Sequence, residues 1–195
     1  IDLDEGMIAA ARRKVAVCRK AAEGGLARPP RFEVLDMQRA GESLAPGFGL
    51  VYCVGNSLVH LQDEQRIGGV LRDWHSLLDP GGCLVVQIIH YDRVLAEGLT
   101  ELPTLRSGGM EFQRRYQYEP GGSVVRFITQ LRLPAEAGGG ERCIDNCVPL
   151  WILKREALER LAREAGFGEL HLFGGFDGRP LQANSLPLIL TGRRP

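Results

Sequence analysis

Two rhythms of apolar and polar positions run along this chain, and each predicts a different element. The helical rhythm opens it: after Asp4, the positions Met7, Ala11, Val15 and Cys18 recur at helical spacing, with Arg12, Arg13, Arg19 and Lys20 between them. Asp4 is placed to cap that helix, and Glu5 puts negative charge in its first turn, where the helix dipole favours it. A second helix is predicted from Gln62 or Asp63 to about Leu78, with Ile67, Val70, Leu71, Trp74 and Leu77 on one side. A third runs from Lys154 to Ala165, with Leu158, Leu161 and Ala162 inward and Gly166 closing it. The second rhythm is the short, near-continuous apolar run. Leu50 to Val54 and Cys83 to Ile89 read as strands buried on both faces of a parallel sheet. Phe32 to Leu35 is a shorter strand, and Leu170 to Phe173 and Pro187 to Thr191 are the last two.

Breakers separate these segments: Glu23-Gly24-Gly25, Arg28-Pro29-Pro30, Gly55-Asn56-Ser57 and Asp79-Pro80-Gly81-Gly82. Strand and helix in alternation argue for an α/β fold, a doubly wound, mostly parallel Rossmann-like sheet with a reversed last strand. About 110–152 the character changes. Segments Glu111 to Tyr118, Ser123 to Leu133 and Arg142 to Ile152 alternate, with Gly121-Gly122 and Gly138-Gly139-Gly140 between them like hairpin turns. They read as an antiparallel insertion over the ligand end of the sheet; the alternative is an extension of the main sheet with no ligand role. No repeat or linker divides the chain, so 1–195 reads as one domain. A first strand and a glycine-rich turn are expected upstream of Ile1, because a segment such as Asp2 to Met7 follows them in sheets of this kind.

Composition narrows the classes. Lys plus Arg and Asp plus Glu are 24 each, a balance that gives no sign of a nucleic-acid or anionic-membrane surface. No apolar run approaches the ~20 residues of a membrane span. The five cysteines are Cys18, Cys53, Cys83, Cys143 and Cys147; the first three sit in apolar segments, and Cys143 and Cys147 lack partners at zinc spacing. The odd count without a framework favours a reducing, cytoplasmic compartment, and no metal is expected.

Candidate chemistry gathers at four strand tips: Asp2, Asp36, Gly55-Asn56-Ser57 and His90-Tyr91-Asp92. An acidic group at the tip of a second strand suits ribose hydroxyls. Asp36 can accept from the exocyclic amine of an adenine while the Met37 N–H meets a ring nitrogen, with Leu3 and Met7 as apolar faces. Each of these residues also has an ordinary reading as a turn, cap or packed residue.

Asp2-Leu3-Asp4-Glu5-Gly6-Met7, Asp36-Met37, Cys53 to Leu61 and Leu78 to Leu84 together resemble class I S-adenosylmethionine-dependent methyltransferases. The Gly-Asn-Ser-Leu-x-His segment at Gly55 to His60, with Tyr91-Asp92-Arg93-Val94-Leu95, looks most like the glycine/sarcosine N-methyltransferase branch. The resemblance implies that Asp2 binds the ribose and Asp36 with Met37 the adenine of S-adenosylmethionine. It implies backbone contacts from Val54 and Gly55, with Asn56, Ser57 and His60 at the methionine end. His60 and His90 are the candidate proton acceptors and Tyr91 completes the catalytic candidates. One departure bears on the acceptor. Glycine-specific members carry an arginine just before the Asn-Tyr-Asp segment, and the matching position here is Ile89. The partner implied is a small-molecule methyl acceptor, an amine or other heteroatom, with no nucleic acid and no membrane; a homo-oligomer is compatible with the chain. The competing readings are a nicotinamide-dependent dehydrogenase, because Asp2 would serve a dinucleotide ribose equally well, and a catalytically silent binding protein.

Overall fold

The structure, a computed structural model, describes residues 1–21, 30–119, 121–135, 140 and 142–195, with side chains of the first helix described as far as Ala16. The loop expected from Glu23 to Pro29, the glycines Gly138 and Gly139, and the Cys18 side chain lie outside these residues. In chain order the elements are α1 (Glu5–Ala21), a 3-10 turn at Met37–Arg39, α2 (Ala40–Ser43) and β1 (Phe48–Cys53). A second 3-10 turn at Ser57–Leu61 leads to α3 (Glu64–Leu77), β2 (Leu78–Ile89) and α4 (Tyr91–Ala96). Four strands follow, β3 (Glu101–Ser107), β4 (Met110–Tyr118), β5 (Val124–Leu133) and β6 (Arg142–Trp151), then α5 (Arg155–Glu164), β7 (Gly168–Phe173) and β8 (Pro187–Arg193).

The strands form two sheets. The first has the order β1-β2-β8-β7, with β1 parallel to β2 and β8 antiparallel to both neighbours. Three of its four strands therefore share one direction, and the last is reversed. Exposure along β2 alternates, with Leu84, Val86 and Ile88 fully buried. They join Leu188 and Leu190 of β8 in one core with Ile67, Leu71 and Trp74 of α3 and Leu158, Leu161 and Ala162 of α5. Each valine, leucine or isoleucine side chain so taken from water contributes about 1.5–3 kcal/mol. Local signals set the ends of these helices. The Asp63 carboxylate accepts from the Arg66 N–H at 2.7 Å and opens α3, and Gly166, at φ +100°, closes α5 in a conformation that glycine adopts without penalty.

The structure departs from the sequence pattern in several places. β1 is not buried on both faces: Leu50 is 51% and Tyr52 68% exposed, and no strand among the described residues pairs with its outer edge. The strand expected at Phe32 to Leu35 reduces to a parallel bridge between Asp2 and Val34. Asp79 to Gly82, expected as a turn, lie within β2, where the register against β1 shifts between Phe48 and Leu50. On α1 the buried position is Ile8, not Met7, which is 60% exposed.

The second sheet is the antiparallel meander β3-β4-β5-β6, beginning at Glu101 rather than near Met110. Leu102, Tyr116, Val125 and Leu150 bury its near end against the core. Farther out, Leu105, Phe112, Leu131 and Ile144 align across all four strands on the same face. The opposite face is polar, with Arg106 on Glu111 and Gln130 on Asp145. No helix among the described residues is long and apolar enough to cross a membrane.

Candidate functional site

Parallel pairing of β1 and β2 sends both chains out at the same end of the sheet, and there the two exits are tied together. After β1 the chain turns through Gly55 (φ +78°) and Asn56 (φ 64°, ψ 22°), both left-handed. Such a conformation is ordinary for glycine and costs most other residues roughly 1–2 kcal/mol, less for asparagine. Polar groups of this turn have partners in five hydrogen bonds. The Val54 carbonyl accepts from the Ser57 hydroxyl at 2.8 Å, and the Gly55 N–H donates to the Gln87 side-chain oxygen at 2.7 Å. The Asn56 N–H donates to the Gln87 carbonyl at 3.3 Å. The Asn56 side chain accepts from the Ile89 N–H at 2.9 Å and donates to the Tyr91 hydroxyl at 3.1 Å.

A cleft of about 740 Å³ runs from this exit along the edge of β1 left unpaired among the described residues, past Tyr52, Leu50 and Phe48 to Trp74 and Leu77, and faces the segment of the Asp2–Val34 bridge. Of the predicted site residues, Asp2, Leu3, Met37, Val54, Ser57 and His60 line it. Asp2 is set by its own bridge: its N–H donates to the Glu33 carbonyl, its carbonyl accepts from Leu35, and one carboxylate oxygen accepts from the Asp4 N–H at 2.9 Å. Asp4 in turn caps α1 through the Met7 N–H at 2.8 Å. Asp36 caps the first 3-10 turn, accepting from the Gln38 N–H at 2.9 Å and lying between two residues of the cleft wall, Leu35 and Met37. Met7, Gly55 and Asn56 are not part of the wall.

The three catalytic candidates separate. His60 sits on the cleft, and partial burial holds its pKa below the ordinary value, so the ring is neutral near pH 7. His90 is buried instead: its Nδ1 faces the Ser185 carbonyl at 3.2 Å and its Nε2 lies 3.8 Å from Asp92, whose carboxylate also accepts from the Arg155 N–H at the start of α5. Tyr91 is fully buried behind Asn56. Burial above all, with the nearby Tyr116 and Tyr118 hydroxyls, raises its pKa against the lowering from the Asn56 bond, so the phenol stays protonated. Neither His90 nor Tyr91 lines the cleft. Cys53 does, but burial pushes its thiol up to about 11, which makes it a wall rather than a nucleophile.

Sequence reasoning passed over Gln87. Its signal was a lone amide in the apolar run Cys83 to Ile89, and the partner it meets lies 32 residues away.

Comparison with known proteins gives this geometry a context. No family model matches the chain. The chain is 25% identical over 141 residues to a glycine/sarcosine N-methyltransferase of Aphanothece halophytica, covering 72% of this chain and 49% of that protein. Among solved structures it superposes on an S-adenosylmethionine-dependent methyltransferase from Clostridium acetobutylicum with a TM-score of 0.80 at 14% identity, over 98% of this chain and 72% of the other. It likewise superposes on the sugar N-methyltransferase KedS8 from a Streptoalloteichus species, with a TM-score of 0.70 at 22% identity, over 98% and 68%. The chain thus has the Rossmann-like α/β fold of class I S-adenosylmethionine-dependent methyltransferases. It spans about half the length of the glycine/sarcosine enzymes that it matches.

The turn's dependence on Asn56 is measurable. Asn56→Ala strands the Ile89 N–H, at about 1–3 kcal/mol, and puts a Cβ-bearing residue without a local hydrogen bond into the left-handed region. We expect a loss of about 2–4 kcal/mol in urea denaturation, with Asn56→Gly recovering roughly 1 kcal/mol. An Asn56→Ala protein as stable as the parent would show that the strut is not needed.

Proposed function

We propose that this chain is the catalytic domain of an S-adenosylmethionine-dependent methyltransferase acting on a small molecule through nitrogen or another heteroatom. The observation that carries the reading is the cleft itself, where the Asp2 carboxylate, the Met37 segment and the turn before Ser57 and His60 converge. Its wall is mostly apolar with a few polar groups. That composition suits a nucleoside. The cofactor, when bound, supplies an electrophilic methyl group on a positively charged sulfur.

The chain's own part is to bind, orient and exclude water. Asp2 takes the ribose hydroxyls with the carboxylate capacity that Asp4 leaves free, and Asp36 with the Met37 N–H takes the adenine edge. Leu3 supplies apolar cover. Val54 and Gly55 offer backbone, and Asn56 and Ser57 hold the turn beside the reacting end. Alignment of this kind supplies ~7–11 kcal/mol of a transfer barrier. An amine attacks only when neutral, and neutral His60 is in the form that takes a proton. His90 and Tyr91 act from behind, His90 holding the segment at Ser185 and Tyr91 bracing Asn56. Free cysteines at Cys53, Cys83, Cys143 and Cys147 support a reducing, cytoplasmic setting.

For the acceptor, we infer a molecule less anionic than glycine. Ile89 offers no charge at the strand tip. Arg106 and Arg126 are paired with Glu111 and Glu119, and together with Arg115 they lie on the face of the second sheet opposite Tyr116 and Tyr118. Of these four, Arg114 shares the tyrosine face, where its guanidinium donates to the Pro103 carbonyl at 2.8 Å and lies over Phe112; Arg142, at the far end of β6, is on that face as well. A carboxylate buried there without a cation would cost several kcal/mol.

Isothermal titration of the protein with S-adenosylmethionine, and with NAD as the competing ligand, tests the reading directly. We expect the former to bind and Asp2→Ala to weaken it by roughly 1.5–3 kcal/mol, the scale of hydrogen bonds to a charged group. Tight NAD binding in its place would favour a dehydrogenase, since Asp2 suits either ribose. For His60, the acid limb of the kcat/KM profile should have its midpoint below about 6.5, the ordinary histidine value, and His60→Gln should abolish it. An unaltered limb in that variant would remove His60 as the base. A methyl-transfer assay across glycine, sarcosine and neutral amines should show the neutral amines preferred. Robust turnover of glycine at a micromolar-to-millimolar KM, the usual enzyme range, would reverse the acceptor assignment and direct attention to Arg114.

A further inference from the structure

We propose that Gln87 is a positioning residue for cofactor binding, setting the left-handed turn at Gly55 and Asn56 whose flanking residues Val54 and Ser57 line the cleft. The proposal rests on the methyltransferase reading above and concerns a residue that the resemblance does not assign.

Gln87 is half-buried on the face of β2 that alternates with the core positions Val86 and Ile88. It receives two successive peptide N–H groups of the turn. The Gly55 N–H donates to its side-chain oxygen at 2.7 Å, and the Asn56 N–H donates to its backbone carbonyl at 3.3 Å. Because Gly55 can only donate, chemistry assigns the atom facing it as the carbonyl oxygen of the amide, not the nitrogen. The backbone contact would survive any substitution at this position, whereas the side-chain contact would not. The side chain therefore decides the plane of the Val54–Gly55 peptide, whose carbonyl is held at the other end by Ser57.

That peptide has a low-energy alternative. With φ +78°, Gly55 is the residue in the turn freest to rotate, since it has no Cβ and its N–H would find water on release. Rotation would carry Val54, which lines the cleft, and would drag on Asn56, which bridges to Ile89 and Tyr91. The amide of Gln87 holds the chain in one of these arrangements before any ligand arrives. Held in advance, the turn loses no further backbone freedom on binding, and that saving appears as affinity. The neighbouring residues of the same face, Val85 and Ile89, carry no side-chain acceptor that could take over.

Two substitutions separate this role from packing. Gln87→Met keeps the length and apolar stem and removes the acceptor, whereas Gln87→Glu keeps an oxygen in place. We expect Gln87→Met to bind S-adenosylmethionine about fivefold to tenfold more weakly, the effect of one lost hydrogen bond, with a matching rise in its KM and little change in kcat. Gln87→Glu should stay within about threefold of the parent, since it still accepts from Gly55. Amide hydrogen exchange without any ligand gives a second readout: Gly55 should exchange faster in Gln87→Met and at the parental rate in Gln87→Glu. Equal losses of affinity in both variants, or unchanged Gly55 exchange in folded Gln87→Met, would overturn the assignment. If the parent binds no S-adenosylmethionine, the methyltransferase reading falls and this proposal with it, a result visible before any variant is made.

Discussion

A central strand must satisfy its peptide groups along both edges, and β2 does so with two partners of opposite direction. Its parallel partner β1 delivers the Gly55–Asn56 turn to the same end where β2 exits into Ile89, His90 and Tyr91. Its antiparallel partner β8 begins at Pro187, opposite Ile89, so the segment before β8 arrives there too and its Ser185 carbonyl meets His90. Two strand exits and one strand entry crowd onto one end of the sheet because strand direction requires it. The polar residues at those exits must then hydrogen-bond one another, and the strut at Asn56 is the result.

Helices α3 and α5 were legible because each carries a full stripe and a local end signal. Asp63 and Gly166 sit where the pattern of α3 and α5 ends, and their bonds involve residues three or four positions away. The reversed last strand and the cleft residues Asp2, Met37, Ser57 and His60 were legible from order and motif. Other features depended on interactions with no local trace. α4 has six residues, too few to show a period, and Pro103 breaks the alternation that would have marked β3. Leu50 and Tyr52 read as buried because apolar runs report the capacity to be covered, not the cover itself. Asn56 was found by resemblance and Gln87 not at all, since a single amide in an apolar strand looks like a tolerated exception until its partner is placed beside it.

The meander shows how one face can be assigned from register alone. Its buried half sets Tyr116 and Tyr118 beside Tyr91, with Tyr118 also donating to the Leu99 carbonyl. Its far half continues the apolar row without a core beneath it, while Arg106, Arg115 and Arg126 occupy the reverse side. A slip of one residue between β4 and β5 would exchange these faces and bring charge against the tyrosines.

The two sheets also differ in how far apart in the chain their pairings lie. Every contact between strands of the meander joins neighbours in sequence, whereas Cys83 must wait for Arg193, and β7 lies outside β8, which follows it. Local pairings close early and distant ones late. As the chain leaves the ribosome, the meander can assemble from what has already emerged, while β2 keeps one edge open until almost the last residues described here have been made. The strand that completes β2, and with it the support of the turn at Asn56, is thus made long after β2 itself.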